Sequence, residues 1–330
     1  MPPSGSMRSS RPSPLGQRTS SARGMASNPS FSRLTSSGQA EQLARYKQRS
    51  ERLAIQTPKM IADRYHVIAP FHEGKSMSAV YLTKDTKTGE LVVVKMASDV
   101  SNLEMSTAAI RREIRALSRL SHPNIVGIKG EGCWGDKQFL VLDYLRGADL
   151  YLVLGDYSRF PWRIAKHVTL QLCDALHAAH SENIMHDDIK PENIIISRMD
   201  DIRAIMLDFG LAKFMDAAPD DELLVIPGLV VGTFPYMAPE TFDFTHYDYR
   251  ADIYSLGVVM YEMLVGKNPF DGHNIPRVVD RILEHVPEPP GIIAKLPECV
   301  DDIVMRAIAK DPEERFQTIE EMRRAIESCP

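Results

Sequence analysis

His186-Asp187-Asp188-Ile189-Lys190-Pro191-Glu192-Asn193, followed fifteen residues later by Asp208-Phe209-Gly210, is the stretch on which the reading of this chain turns. It sets a carboxylate at Asp188, an ammonium at Lys190 and hard oxygen donors at Asn193 and Asp208 within a short span. Moving a phosphoryl group calls for such a set: a carboxylate beside the attacking hydroxyl, a cation on the travelling phosphate and oxygen ligands for Mg²⁺. A lone His-x-Asp triplet says little; the ordered pair at this spacing says much. Charged residues in an ordinary surface loop, the bland alternative, leave Asp208-Phe209-Gly210 and the apolar run before it unexplained.

Upstream, Tyr81-Leu82-Thr83 and Leu91-Val92-Val93-Val94-Lys95 read as two strands joined by a turn at Lys87-Thr88-Gly89. Ile110, Ile114, Leu117 and Leu120 recur at helical spacing, with Glu113 beside the stripe. Phe139-Leu140-Val141-Leu142-Asp143-Tyr144-Leu145 reads as a buried strand. Taken singly, a lysine at a strand end is a solvated charge and small apolar residues in strands are core. Arg111, Arg112 and Arg115 are local alternative partners for Glu113.

In this order the motifs resemble those of eukaryotic-type Ser/Thr protein kinases, over roughly Tyr65 to Ser328. The resemblance implies an α+β, two-lobed fold. A small lobe over 65–143 would hold an antiparallel sheet and one helix, and a mostly helical large lobe would span 144–328. It implies ATP and Mg²⁺ as cofactors and Ser or Thr hydroxyls of proteins as acceptors. Lys95 would hold the α- and β-phosphates and pair with Glu113. Asp188 would orient the hydroxyl and take its proton late, while Lys190 neutralises the γ-phosphoryl group. Asn193 and Asp208 would ligate the metal. Val80 and Val93 would roof the adenine and Ile195 floor it, with Leu142 as gatekeeper. Backbone groups of Asp143 and Leu145 would bond the base, and Asp149 would meet the ribose. Lys190 with Thr233, in the stretch from Gly232 to Glu240, resembles the serine/threonine signature. Asp252 matches the residue that anchors the catalytic-loop backbone, and Glu240 with Arg315 a buried ion pair.

Three departures qualify the resemblance. The loop over the phosphates keeps one glycine, Gly74, with Glu73, Lys75 and Ser78 at the usual glycine positions, so fewer backbone N–H groups reach phosphate unobstructed. The residue before Asp188 is Asp187, where relatives carry an arginine that neutralises an activation-loop phosphate. From Leu211 to Gly232 there is no Ser, Thr or Tyr. Control by phosphorylation of that loop is therefore not expected. Apolar packing of Leu223–Val231 is the expected substitute, each buried Leu or Val contributing about 1.5–3 kcal/mol; docking of a partner or a second copy is the alternative. The poor phosphate loop and Asp187 also support a rival reading, a pseudokinase that scaffolds or binds nucleotide without turnover. A small-molecule kinase on the same fold is a third.

The chain has 330 residues, 44% hydrophobic residues and a formal charge of −5. This suits a large core and argues against nucleic acid as main partner. No uninterrupted apolar run reaches membrane-spanning length, so no membrane association is expected. Four cysteines, Cys133, Cys173, Cys299 and Cys329, lack metal-ligand spacing and read as reduced thiols in a cytoplasmic setting. Residues 1–40 are rich in Ser, Pro and Arg with no acid, so a disordered tail is expected there. Organelle import and phosphorylation at Ser21 or Ser36 are competing readings of it. A charged helical linker is expected over 41–64.

Overall fold

The computed structural model describes residues 57–71, 78–98, 103–198, 201–216, 233–243 and 247–330. Expectations for the tail at 1–40, the helix over 41–56, Gly74 with its neighbours Glu73 and Lys75, and Leu223–Val231 lie outside the described residues.

The alternating apolar residues of the first half form six antiparallel strands. These are β1 (Met60–Ile61), β2 (Tyr65–Pro70), β3 (Ser78–Asp85), β4 (Leu91–Ala97), β5 (Ile128–Trp134) and β6 (Lys137–Asp143), in sheet order β1-β2-β3-β4-β6-β5. Register decides which residues meet: Val80 lies opposite Lys95, and Val93 opposite Leu142. One face of the sheet encloses a core of Ile61, Tyr65, Val94 and Phe139. Helix α1 (Leu103–Arg119) packs against β4 and β6 through Ile110, Glu113 and Leu117. Glu104 in its first turn and Arg119 in its last complement its dipole.

The remaining described residues are mostly helical. Their helices are α2 (Leu150–Tyr157), α3 (Trp162–Ser181), α4 (Arg250–Val265), α5 (Ile275–Glu284), α6 (Pro290–Ala294), α7 (Glu298–Ala307) and α8 (Ile319–Ser328). Helix α4 is apolar on almost every face and runs through the core, as such a composition requires. Short strands interleave with the helices. β7 (Ala148–Asp149), β9 (Ile194–Arg198) and β10 (Ile202–Met206) form one antiparallel group, and β8 (Ile184–Met185) pairs with β11 (Lys213–Phe214). The architecture is the expected α+β, two-lobed one.

Two expectations need correction. The helical linker does not hold over its described part, 57–64. Met60–Ile61 pairs with His66 and Tyr65, and Ala62 and Asp63 turn the chain at φ 49° and 51°. Ile61 is fully buried in the small-lobe core, a placement in the sheet that outweighs helical periodicity. The cysteines are not all reduced: Cys299 and Cys329 form a disulfide, with Cα atoms 5.9 Å apart, while Cys133 and Cys173 are free. Packing of α8 against α7 brings the pair together across thirty residues of chain.

Candidate active site

Lys95, near the end of β4, is 8% exposed, and its ammonium lies 2.7 Å from Glu113 Oε2 and 2.7 Å from Asp208 Oδ1. Helix α1 supplies Glu113, 1% exposed, whose compensation is this ion pair. Burial would lower Lys95, but the carboxylates of Asp208 and Glu113 overcome it and hold the ammonium well above the ordinary lysine range. Burial would raise Asp208; the Lys95 charge outweighs it and brings the carboxyl down to about 2. Glu113 is pushed up by burial while Lys95 pulls it back. Arg111, a local rival for Glu113, instead bonds Gln138.

The antiparallel pair β9–β10 delivers the rest. Ile194 lies opposite Met206, and the Leu207 N–H donates to the Asn193 carbonyl at 2.8 Å, so Asn193 and Asp208 end on one side of the pair. Asn193 Nδ2 donates to Asp188 at its carbonyl (2.8 Å) and Oδ2 (2.9 Å); Asn193 Oδ1 has no hydrogen bond among the described residues. Asp208 Oδ1 also accepts from Gly210 N–H at 3.2 Å, and Oδ2 has no such partner among the described residues. Two hard oxygens on adjoining segments suit Mg²⁺, which takes one or two protein ligands and completes its shell with phosphate and water. The residues present fit that ion. Asp208 stands at φ 57°, a left-handed conformation that Asp tolerates.

Lys190 bridges the opposite wall. Its Nζ is 2.7 Å from Asp188 Oδ2 and donates to Thr233 Oγ1 at 2.7 Å. A cavity lined by Asp188, Ile189, Thr233, Tyr236 and Met237 opens beside this pair. Asp252 fixes the loop from below: its Oδ2 accepts the His186 N–H (2.9 Å) and its Oδ1 the Asp187 N–H (3.0 Å). His186 Nδ1 accepts from the Asp188 N–H, so the ring proton sits on Nε2 and donates to the Leu207 carbonyl at 2.8 Å. One imidazole thereby ties the catalytic loop to the Asp208 segment. The sequence reading quoted His186 and missed this role.

Val80, Val93, Asp143, Leu145, Asp149 and Ile195 are all half-buried, and Leu142 is 7% exposed. Ile195 pairs with Asp149 across β7 and β9. The Leu145 N–H makes no hydrogen bond among the described residues, whereas the Asp143 N–H is taken by the Gly127 carbonyl. Asp149 Oδ1 caps α2 through the Leu152 N–H at 2.8 Å, a task the sequence reading did not foresee. The expected Glu240–Arg315 pair is present as a two-pronged contact of 2.6 and 2.7 Å.

A family model described as protein kinase domain matches residues 65–325. Among curated proteins, a probable serine/threonine-protein kinase of Clostridium perfringens is 33% identical over 266 residues, covering 80% of this chain and 38% of the relative. The probable serine/threonine-protein kinase PknB of Lactococcus lactis is 31% identical over 271 residues, covering 81% and 42%. The serine/threonine-protein kinase PknH of Mycobacterium bovis is 35% identical over 254 residues, covering 76% and 41%. The chain thus spans about two-fifths of the length of these relatives. Among the described residues no helix is long and apolar enough to cross a membrane.

Proposed function

Because this chain belongs to the protein kinase family, we propose that it transfers the γ-phosphoryl group of ATP to Ser or Thr hydroxyls of protein substrates. The observation that carries this reading is the Lys95 ammonium held 2.7 Å from both Glu113 and Asp208, with the Lys190–Asp188 pair across the site. The relatives' names, all serine/threonine-protein kinases, support the acceptor class.

In this reading Lys95 grips the α- and β-phosphates, and Glu113 keeps its ammonium aimed. Asp188 orients the incoming hydroxyl and receives its proton as the new P–O bond completes. Lys190, already beside Asp188 and Thr233, meets the negative charge that spreads over the γ-phosphoryl oxygens in the transition state. Mg²⁺ held by Asp208 and Asn193 Oδ1 would neutralise phosphate charge. Val80, Val93 and Ile195 enclose the adenine, the Leu145 N–H and the Asp143 carbonyl bond its edge, and Asp149 meets the ribose. Gly74 serves the phosphate loop.

We take 65–328 as the catalytic domain, divided at Asp143, where β6 ends. We further propose Leu223–Val231, on its apolar sequence alone, as a docking segment for a partner or second copy, and no role in nucleic-acid or membrane binding. A proposed need for ATP supports a cytoplasmic setting, and the Cys299–Cys329 bridge argues against it.

The test is incubation with Mg-ATP and a generic basic protein, beside Lys95→Met and Asp208→Asn. Incorporation on Ser or Thr that falls about 10²–10³-fold in both variants is expected. Thermal stabilisation by ATP without turnover in the unaltered chain would make it a pseudokinase instead.

A further inference from the structure

Asp187 is the residue for which the kinase reading finds no use. It stands at φ 62°, its N–H clamped by Asp252, and its side chain is 16% exposed. The Tyr247 hydroxyl donates to its carboxylate, 2.7 Å from Oδ2 and 3.0 Å from Oδ1. Lys213 Nζ lies 3.7 Å from Oδ2 and 3.5 Å from the centroid of the Tyr247 ring. An arginine at 187 would repel Lys213 unless an anion came between them. An aspartate there pairs with it directly.

Lys213 begins β11, and the next residue faces the other way. Phe214 lies under the guanidinium of Arg115, 4.2 Å from its ring centroid, with Arg119 at 5.8 Å. Arg119 also pairs with Asp216 at 3.1 Å. Both arginines belong to α1, and Arg115 is two residues beyond Glu113, the partner of Lys95. The contacts therefore run from Asp187, through a two-residue strand, to α1, the helix that carries Glu113.

We infer that Asp187 is a positioning residue: its carboxylate docks Lys213 and holds β11 between the catalytic loop and α1, the task a loop phosphate performs when position 187 is an arginine. The missing phosphoacceptors from Leu211 to Gly232 agree with a charge supplied by the polypeptide itself. The inference rests on the kinase reading for its consequence, though the docking contact can be tested apart from it.

The experiment compares the unaltered chain with Asp187→Asn, Lys213→Met, Tyr247→Phe, the Asp187→Asn/Lys213→Met double and the swapped pair Asp187→Lys/Lys213→Asp. Each single change at 187 or 213 is expected to lower kcat about tenfold with KM for ATP within about twofold, and the double to fall no further than the worse single. The swapped pair should regain about threefold over Asp187→Asn, and Tyr247→Phe should lose less than either. Amide hydrogen exchange at Met215, whose N–H donates to the Asn183 carbonyl at 2.9 Å, should quicken about tenfold in both singles. Unchanged Met215 exchange, or single and double effects that simply multiply, would overturn the inference. If the unaltered chain transfers no phosphate, the kinase reading fails, and Met215 exchange still decides whether Asp187 docks the strand.

Discussion

At Lys95 desolvation and charge oppose each other, and charge prevails because two carboxylates stand 2.7 Å away. Lys95→Met removes the cation but not the fold, since Glu113, already pushed up to about 7 by burial, can take a proton where it sits. That variant should lose turnover yet melt as a single cooperative unit, which calorimetry can check. Asp187 makes a pH statement. Burial pushes its carboxyl up to about 7 from an ordinary 3.8, against the pull of Lys213 and the Tyr247 hydroxyl and with repulsion from Asp252 and Asp188. The folded form holds this proton more tightly than the unfolded chain does. Its contribution to stability is therefore full below about pH 4 and is lost as pH climbs through about 7. Activity runs the opposite way, because only the ionised group pairs with Lys213. We expect kcat to rise across about pH 6–8 and that limb to vanish in Asp187→Asn. A limb that survives the substitution belongs to another group, Glu113 being the first candidate.

Among the helices, close approach replaces side-chain bulk. A Cβ on Gly257 of α4 would come within 2.7 Å of Ala307 Cβ and 2.9 Å of Ile308 Cγ2, so Gly257→Val should cost about 1–3 kcal/mol in a urea titration. Arg315, with a fully buried side chain, has an acceptor for each of its five N–H groups: two from Glu240, and the carbonyls of Ala309, Arg250 and Lys310. Glu240→Ala leaves that cation without a counter-charge and is expected to cost about 3–5 kcal/mol by the same titration. Elements of this kind differ in how plainly the chain announces them. Strands β3, β4 and β6 were readable because one motif, ending in Lys95, fixes the register of the neighbours it needs. Edge strand β1 was not, because two residues carry no period and Ile61 is held by contacts far along the chain. The strand holding Lys213 was hidden likewise: its partners lie at 184–185, 187 and 247, and nothing local marks them.

Across the whole molecule the last turn of the chain is stitched to the rest. Trp162 Nε1 donates to the Pro330 carbonyl at 2.6 Å, and Lys166 to the carbonyls of Glu327 and Cys329. The Cys299–Cys329 bridge closes a thirty-residue loop over the same corner. Loop-closure entropy assigns such a bridge about 3–4 kcal/mol, so Cys299→Ser, or a thiol reductant, should lower the unfolding midpoint while leaving the distant Lys95 site intact. Cysteine spacing could not reveal this partnership, because helix packing rather than sequence distance brings the two sulfurs together. The Asp187–Lys213 contact has a consequence on a larger scale still. If Asp187 docks Lys213 as inferred, a charge written into the polypeptide offers a phosphatase nothing to remove at this position. Turning the site off at this position would then take protonation of Asp187 or displacement of Lys213 rather than removal of a phosphate.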